Sequence, residues 1–145
     1  MARIREAVSI AAPAGDVWRV VHIELDDMPR WAGYVSRAEY LDGGEPGAGS
    51  RIRYELALPG GGPPLILQQT VWEPPARCEG LFVEGPVLGS WAYRYREQDL
   101  ATELVYEAEY EMAGVLRFVG RMLQGRYEQG VRDALRHLKR YVEDR

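Results

Sequence analysis

The last 31 residues, Val115 to Arg145, read as one long amphipathic helix, and they follow a series of segments whose hydrophobicity alternates with period two. A helix with one apolar stripe must lay it on something, and a half-buried antiparallel sheet offers a matching face. At helical spacing Leu116, Val119, Leu123, Tyr127, Val131, Ala134, Leu138 and Tyr141 form the stripe. Arg117, Arg121, Gln124, Glu128, Arg132, Arg136 and Lys139 form a polar row about a third of a turn round the helix. Gly120 and Gly130 fall inside the stripe, and Gly125 falls on the far side. A glycine costs about 1 kcal/mol against alanine in a helix interior. The inward pair therefore implies either room for a ligand beneath the helix or a close approach of helix to strand.

The strands can be placed one by one. Arg3 to Ala11 alternates Ile4, Glu6, Val8 and Ile10 against Arg5, Ala7 and Ser9. Ala12-Pro13-Ala14-Gly15-Asp16 then opens a short helix, and Asp27-Met28-Pro29-Arg30-Trp31 is a tight turn or a second short helix. Tyr34 to Leu41 and Arg51 to Leu58 form a hairpin around a glycine-rich turn. Leu65 to Trp72 pairs with Arg77 to Glu84, and Trp91 to Arg96 pairs with Thr102 to Met112. In the last pair Arg94 and Arg96 oppose Glu103, Glu107, Glu109 and Glu111, which gives that face to water and turns the tyrosines inward. The predicted class is α+β: one strand, two short helices, six antiparallel strands and a long helix, in a single domain spanning 1–145.

Composition removes several functions. The one cysteine, Cys78, excludes an internal disulfide and any multi-cysteine metal site, and His22 and His137 do not sit at zinc-ligand spacing. No metal or cofactor is expected. The glycine-rich loops open strands rather than helices and lack the Gly-Lys-Ser/Thr that follows a phosphate loop. No apolar run approaches the ~20 residues that span a bilayer, and no signal-peptide pattern begins the chain, so a cytoplasmic protein is expected. The formal charge of −4 is unevenly spread: residues 115–142 carry seven Lys or Arg and two acids, whereas residues 1–114 carry ten Arg and eighteen acids. The basic helix has either its own acidic sheet or an anionic membrane surface as partner. The acidic balance of the whole argues against nucleic acid.

The element order, with Ala12-Pro13-Ala14-x-x-Val17-Trp18, the Met28-Pro29-x-Trp31 turn, Gly47-x-Gly49-Ser50 and Glu73-Pro74, resembles the START-like (SRPBCC) superfamily. Within it, the chain is most similar to the polyketide cyclase/dehydrase and lipid-transport subgroup. The resemblance implies a helix-grip fold, in which a seven-stranded antiparallel sheet wraps round the terminal helix and encloses an apolar cavity. It also implies a hydrophobic small-molecule partner.

The residues expected to line that cavity are Trp31, Tyr54, Leu67, Gln69, Phe82, Trp91, Tyr93, Tyr95, Tyr106 and Tyr110, roofed by Leu116, Val119, Gly120, Leu123 and Tyr127. Four inward tyrosines on two neighbouring strands exceed what a dry core accepts, because each buried hydroxyl needs a partner. No nucleophile beside a base and no paired carboxylates stand at catalytic spacing, so no catalytic residue is assigned. Binding of a lipid, quinone or polyketide-like aromatic is the function expected. A cyclase or dehydratase using the tyrosines and ordered water is the alternative, followed by a membrane-binding module built on the basic helix.

Overall fold

The computed structural model describes residues 1–58, 60–114 and 120–145, with the backbone alone at 120 and 121. Leu116 and Val119, and the surroundings of Gly120, lie outside what is described. Seven strands form one antiparallel sheet: β1 (Ala2–Ile10), β2 (Val35–Tyr40), β3 (Arg51–Leu56), β4 (Leu65–Glu73), β5 (Arg77–Glu84), β6 (Val87–Gln98) and β7 (Ala101–Met112). Their order is β1-β7-β6-β5-β4-β3-β2, so every neighbour but one is also next in sequence, and the chain's first strand joins its last.

Between β1 and β2 runs α1 (Ala14–Trp18), continued by a π-helical turn (Arg19–Ile23) and a 3₁₀ helix (Leu25–Arg30). Pro13 holds the extended conformation that precedes the helix, and the Ala14 N–H, free of any intrahelical acceptor, donates to the Glu97 carboxylate at 2.6 Å. Trp18 packs this helix onto the sheet, its ring against those of Trp72 and Tyr95.

The period-two alternation settles the faces. Tyr93 and Tyr106 stand opposite each other on the concave side, while on the convex side Arg94 reaches both Glu107 at 3.0 Å and Glu79 at 3.5 Å. Arg3 and Arg5 extend this ladder of opposite charges to Glu109 and Glu107. Gly80 lies opposite Trp91, and a Cβ there would overlap the Gln68 carbonyl and the indole, so the ring lies directly on bare backbone.

The terminal helix is described as α2 (Gly120–Glu143), with Val131, Ala134, Leu135, Leu138 and Val142 buried. Its polar row finds partners within the chain. Arg132 pairs with Glu6 at 3.0 Å, Lys139 Nζ donates to the Ser9 carbonyl at 2.8 Å, and Glu143 accepts from the Ala11 N–H at 2.7 Å. Part of the basic charge is thus engaged by β1. No helix among the described residues is long and apolar enough to cross a membrane. Gly125 is exposed, whereas Gly130 faces Tyr34, whose ring lies 3.5 Å from where a Cβ would be. That is ordinary contact, so alanine would fit, and close approach does not require glycine at Gly130.

Candidate functional site: a tyrosine-lined cavity

Between the concave face and α2 lies a cavity of about 230 Å³. Tyr54 and Leu56 of β3, Leu65 and Leu67 of β4, and Phe82 of β5 form one wall. Trp91, Tyr93 and Tyr106 of β6 and β7 form another, Leu123, Arg126 and Tyr127 of α2 cover them, and Tyr34, Pro86, Val87 and Met112 are among the remaining described lining. The inward positions of strands supply the apolar surface, and the sheet's curl leaves the gap that α2 covers.

Five phenols meet here. The hydroxyls of Tyr106 and Tyr127 pair at 2.9 Å, and the Tyr93 and Tyr106 rings lie 4.9 Å apart. Among the described residues, the hydroxyls of Tyr34, Tyr54 and Tyr93 make no hydrogen bond. Each is a donor and an acceptor left to whatever fills the space. Burial pushes the Tyr34 phenol up to about 12 and those of Tyr54, Tyr93 and Tyr106 well above their ordinary range. The neighbouring phenols add to this for the last three, since ionising one would place charge beside the others. Near neutral pH the cluster is uncharged: it can orient carbonyl or hydroxyl groups but cannot act as a strong base.

Of the expected lining residues, Tyr54, Leu67, Phe82, Trp91, Tyr93, Tyr106, Leu123 and Tyr127 come together. Four others stand elsewhere. Trp31 is buried at the end of the 3₁₀ helix, where it packs in the core. Gln69 is wholly buried and donates from Nε2 to the Tyr40 hydroxyl at 2.9 Å, leaving its Oε1 without a partner among the described residues. The Tyr95 hydroxyl meets His22 Nε2 at 2.7 Å beneath α1. The Tyr110 hydroxyl reaches Glu128 on α2 at 3.4 Å. Gln69, Tyr95 and Tyr110 share the strand face of the lining residues Leu67, Tyr93 and Tyr106, but along a curled sheet that side extends past the cavity at both ends. Tyr34, Met112 and Arg126 line it and were not expected to. The sequence reading starts a strand at Tyr34, whereas β2 begins at Val35 and leaves Tyr34 just before it; Arg126 carries a charge and so does not show in an apolar pattern.

A second polar group lies behind the cavity. His22, 4% exposed, is enclosed by Trp18, Trp72, Tyr93 and Tyr95, and burial pushes its imidazole down to about 3. The Tyr40 hydroxyl donates to the His22 carbonyl at 2.6 Å. Nearby Cys78 is buried, and burial raises its thiol to about 12, so it is not a thiolate nucleophile at neutral pH. Among the described residues no three His, Cys, Asp or Glu side chains gather where they could hold a metal ion.

Solved structures share this architecture. The Zhui aromatase/cyclase from Streptomyces sp. R1128 superposes with a TM-score of 0.80 at 19% identity, covering 98% of this chain and 93% of that one. TTHA0849 from Thermus thermophilus gives 0.77 at 19% identity over 97% of both chains. Ara h 8.0201 gives 0.72 at 10% identity over 99% of both. At such identities the likeness establishes the fold, which is the helix-grip fold. No curated protein matches the sequence. The family model for polyketide cyclase/dehydrase and lipid transport matches residues 1–143, and the chain belongs to that family.

Proposed function

We propose that this member of the polyketide cyclase/dehydrase and lipid transport family binds a small, largely apolar molecule bearing oxygen groups in its cavity, without bonding to it covalently. The supporting observation is that Tyr34, Tyr54 and Tyr93 line an apolar space and that their hydroxyls have no hydrogen-bond partner among the described residues. A space of about 230 Å³ exceeds the ~150 Å³ that accommodates benzene and falls short of the roughly 300–1,000 Å³ of drug-sized sites. It suits a substituted one- or two-ring aromatic, or a short acyl chain. Native mass spectrometry of protein purified from its own host should show a retained small molecule. Replacing Tyr54 and Tyr93 together by phenylalanine should weaken an oxygenated ligand about tenfold, as loss of buried hydrogen bonds implies, and leave its hydrocarbon analogue unchanged. Equal loss for both ligands would remove the hydroxyls from recognition.

The register pair Tyr93 and Tyr106 supports a second role, cyclisation or dehydration. Two adjacent neutral phenols can hold the carbonyls of a poly-β-ketone in a bent shape and donate hydrogen bonds as charge develops on oxygen. Turnover of such a substrate that survives Tyr93→Phe and Tyr106→Phe would exclude this use of the pair.

A further inference from the structure

We infer that the cavity selects ligands with an anionic group at the end facing the opening, and that Arg126 is the residue that selects them. This rests on the ligand-binding role proposed above and adds the charge of the ligand to it.

Arg126 is the only charged residue among the described lining of the cavity. It lies one helical turn from Leu123 and next to Tyr127, so the same face of α2 presents an apolar residue, a cation and a phenol to the space. Arg126 is exposed, which places its charge at the water side rather than in the interior. Three other basic residues of α2 are paired, Arg132 with Glu6, Arg136 with Asp133, and Lys139 with Glu143, while Arg140 lies away from the cavity near the chain end. Arg126 forms no ion pair with any described carboxylate. The stretch from Val115 to Arg121 contains no acidic residue that could supply one, and it adds two more arginines. A guanidinium at the edge of an apolar cavity, with no internal counter-ion, is suited to the bidentate capture of a carboxylate. The uncharged phenols farther in would meet neutral oxygen groups on the ligand body.

The test uses a near-isosteric pair, 2-naphthoate and 2-naphthamide, titrated calorimetrically into the full chain at low salt. The expected result is binding of both, with the carboxylate about tenfold tighter, and an advantage that shrinks as salt is raised. Arg126→Gln should bring naphthoate to the affinity of naphthamide while changing naphthamide less than about twofold. Arg126→Lys should keep most of the preference. As an exposed position, residue 126 can be changed without disturbing the core, and unchanged thermal midpoints would confirm that. Both ligands binding equally to the unaltered protein, or a preference that persists in Arg126→Gln, would overturn this inference and leave the cavity's binding role standing. Binding of neither would overturn both.

Discussion

His22 shows what burial does to a single titratable group. Enclosed by Trp18, Trp72, Tyr93 and Tyr95, its imidazole is pushed from 6.5 down to about 3 by burial. The unfolded chain takes up this proton as pH falls through 6.5, and the folded chain does so only near 3. Its contribution to stability is therefore complete above 6.5 and is lost as pH falls from there towards 3, at about 1.4 kcal/mol per unit. Urea unfolding at pH 7, 6 and 5 should show a steeper loss for the natural protein than for His22→Gln, by roughly one proton's worth. Parallel losses in the two would place the acid sensitivity on the carboxylates. Nothing in the sequence around His22 marks it: a histidine after a short helix gives no sign that a strand about 70 residues later will bring Tyr95 to its ring.

Among the elements, the β6–β7 hairpin turns on Asp99 and Leu100, both with positive φ, at 51° and 68°, between the paired residues Gln98 and Ala101. A two-residue turn of this hand favours Asn-Gly or Asp-Gly, and a leucine in the left-handed region is strained. Leu100 is 86% exposed, so its side chain contributes almost no burial in return. Leu100→Gly should raise stability by about 0.5–1 kcal/mol, because relief of strain outweighs the added freedom of the unfolded chain. Chemical denaturation would show this as a higher midpoint at unchanged slope.

Period-two runs made the strands readable from sequence, and the two-residue turn was evident only as a break between them. Alternation begins β6 only at Trp91, because Gly89 and Ser90 interrupt it; in the structure the strand begins at Val87 and carries Gly89 with φ 138° opposite Tyr110. The site was readable to the same depth. Alternation tells which face Tyr93 and Tyr95 share, but a curled sheet puts one in the cavity and the other under α1. Position along the curl depends on the register of all seven strands at once.

At the scale of the whole molecule, the cavity is a region left unfilled between a curved layer and a helix. Such space lowers stability in proportion to the contacts its lining forgoes. Leu67 stands on the wall opposite Phe82 in the β4–β5 pairing. Leu67→Phe should extend into the void and hold or raise stability by ~0.5–2 kcal/mol, while reducing ligand affinity at least tenfold. Calorimetric titration alongside thermal unfolding would check the two together. A variant that is both less stable and still competent to bind would show that the space collapses elsewhere.

The sheet's order, beginning at β1 and ending at β2, leaves two lateral rows of backbone donors and acceptors that another chain could extend. On the first edge, Lys139 occupies the Ser9 carbonyl and Glu143 the Ala11 N–H, while Arg3 and Arg5 flank the rest with charge. The other edge is six residues long, and its register shifts between Val35 and Arg37. An incoming strand would meet filled positions and arginines on one side, and a short, irregular ladder on the other. The side chains that fasten the helix to β1 therefore also guard the molecule against polymerising edge to edge.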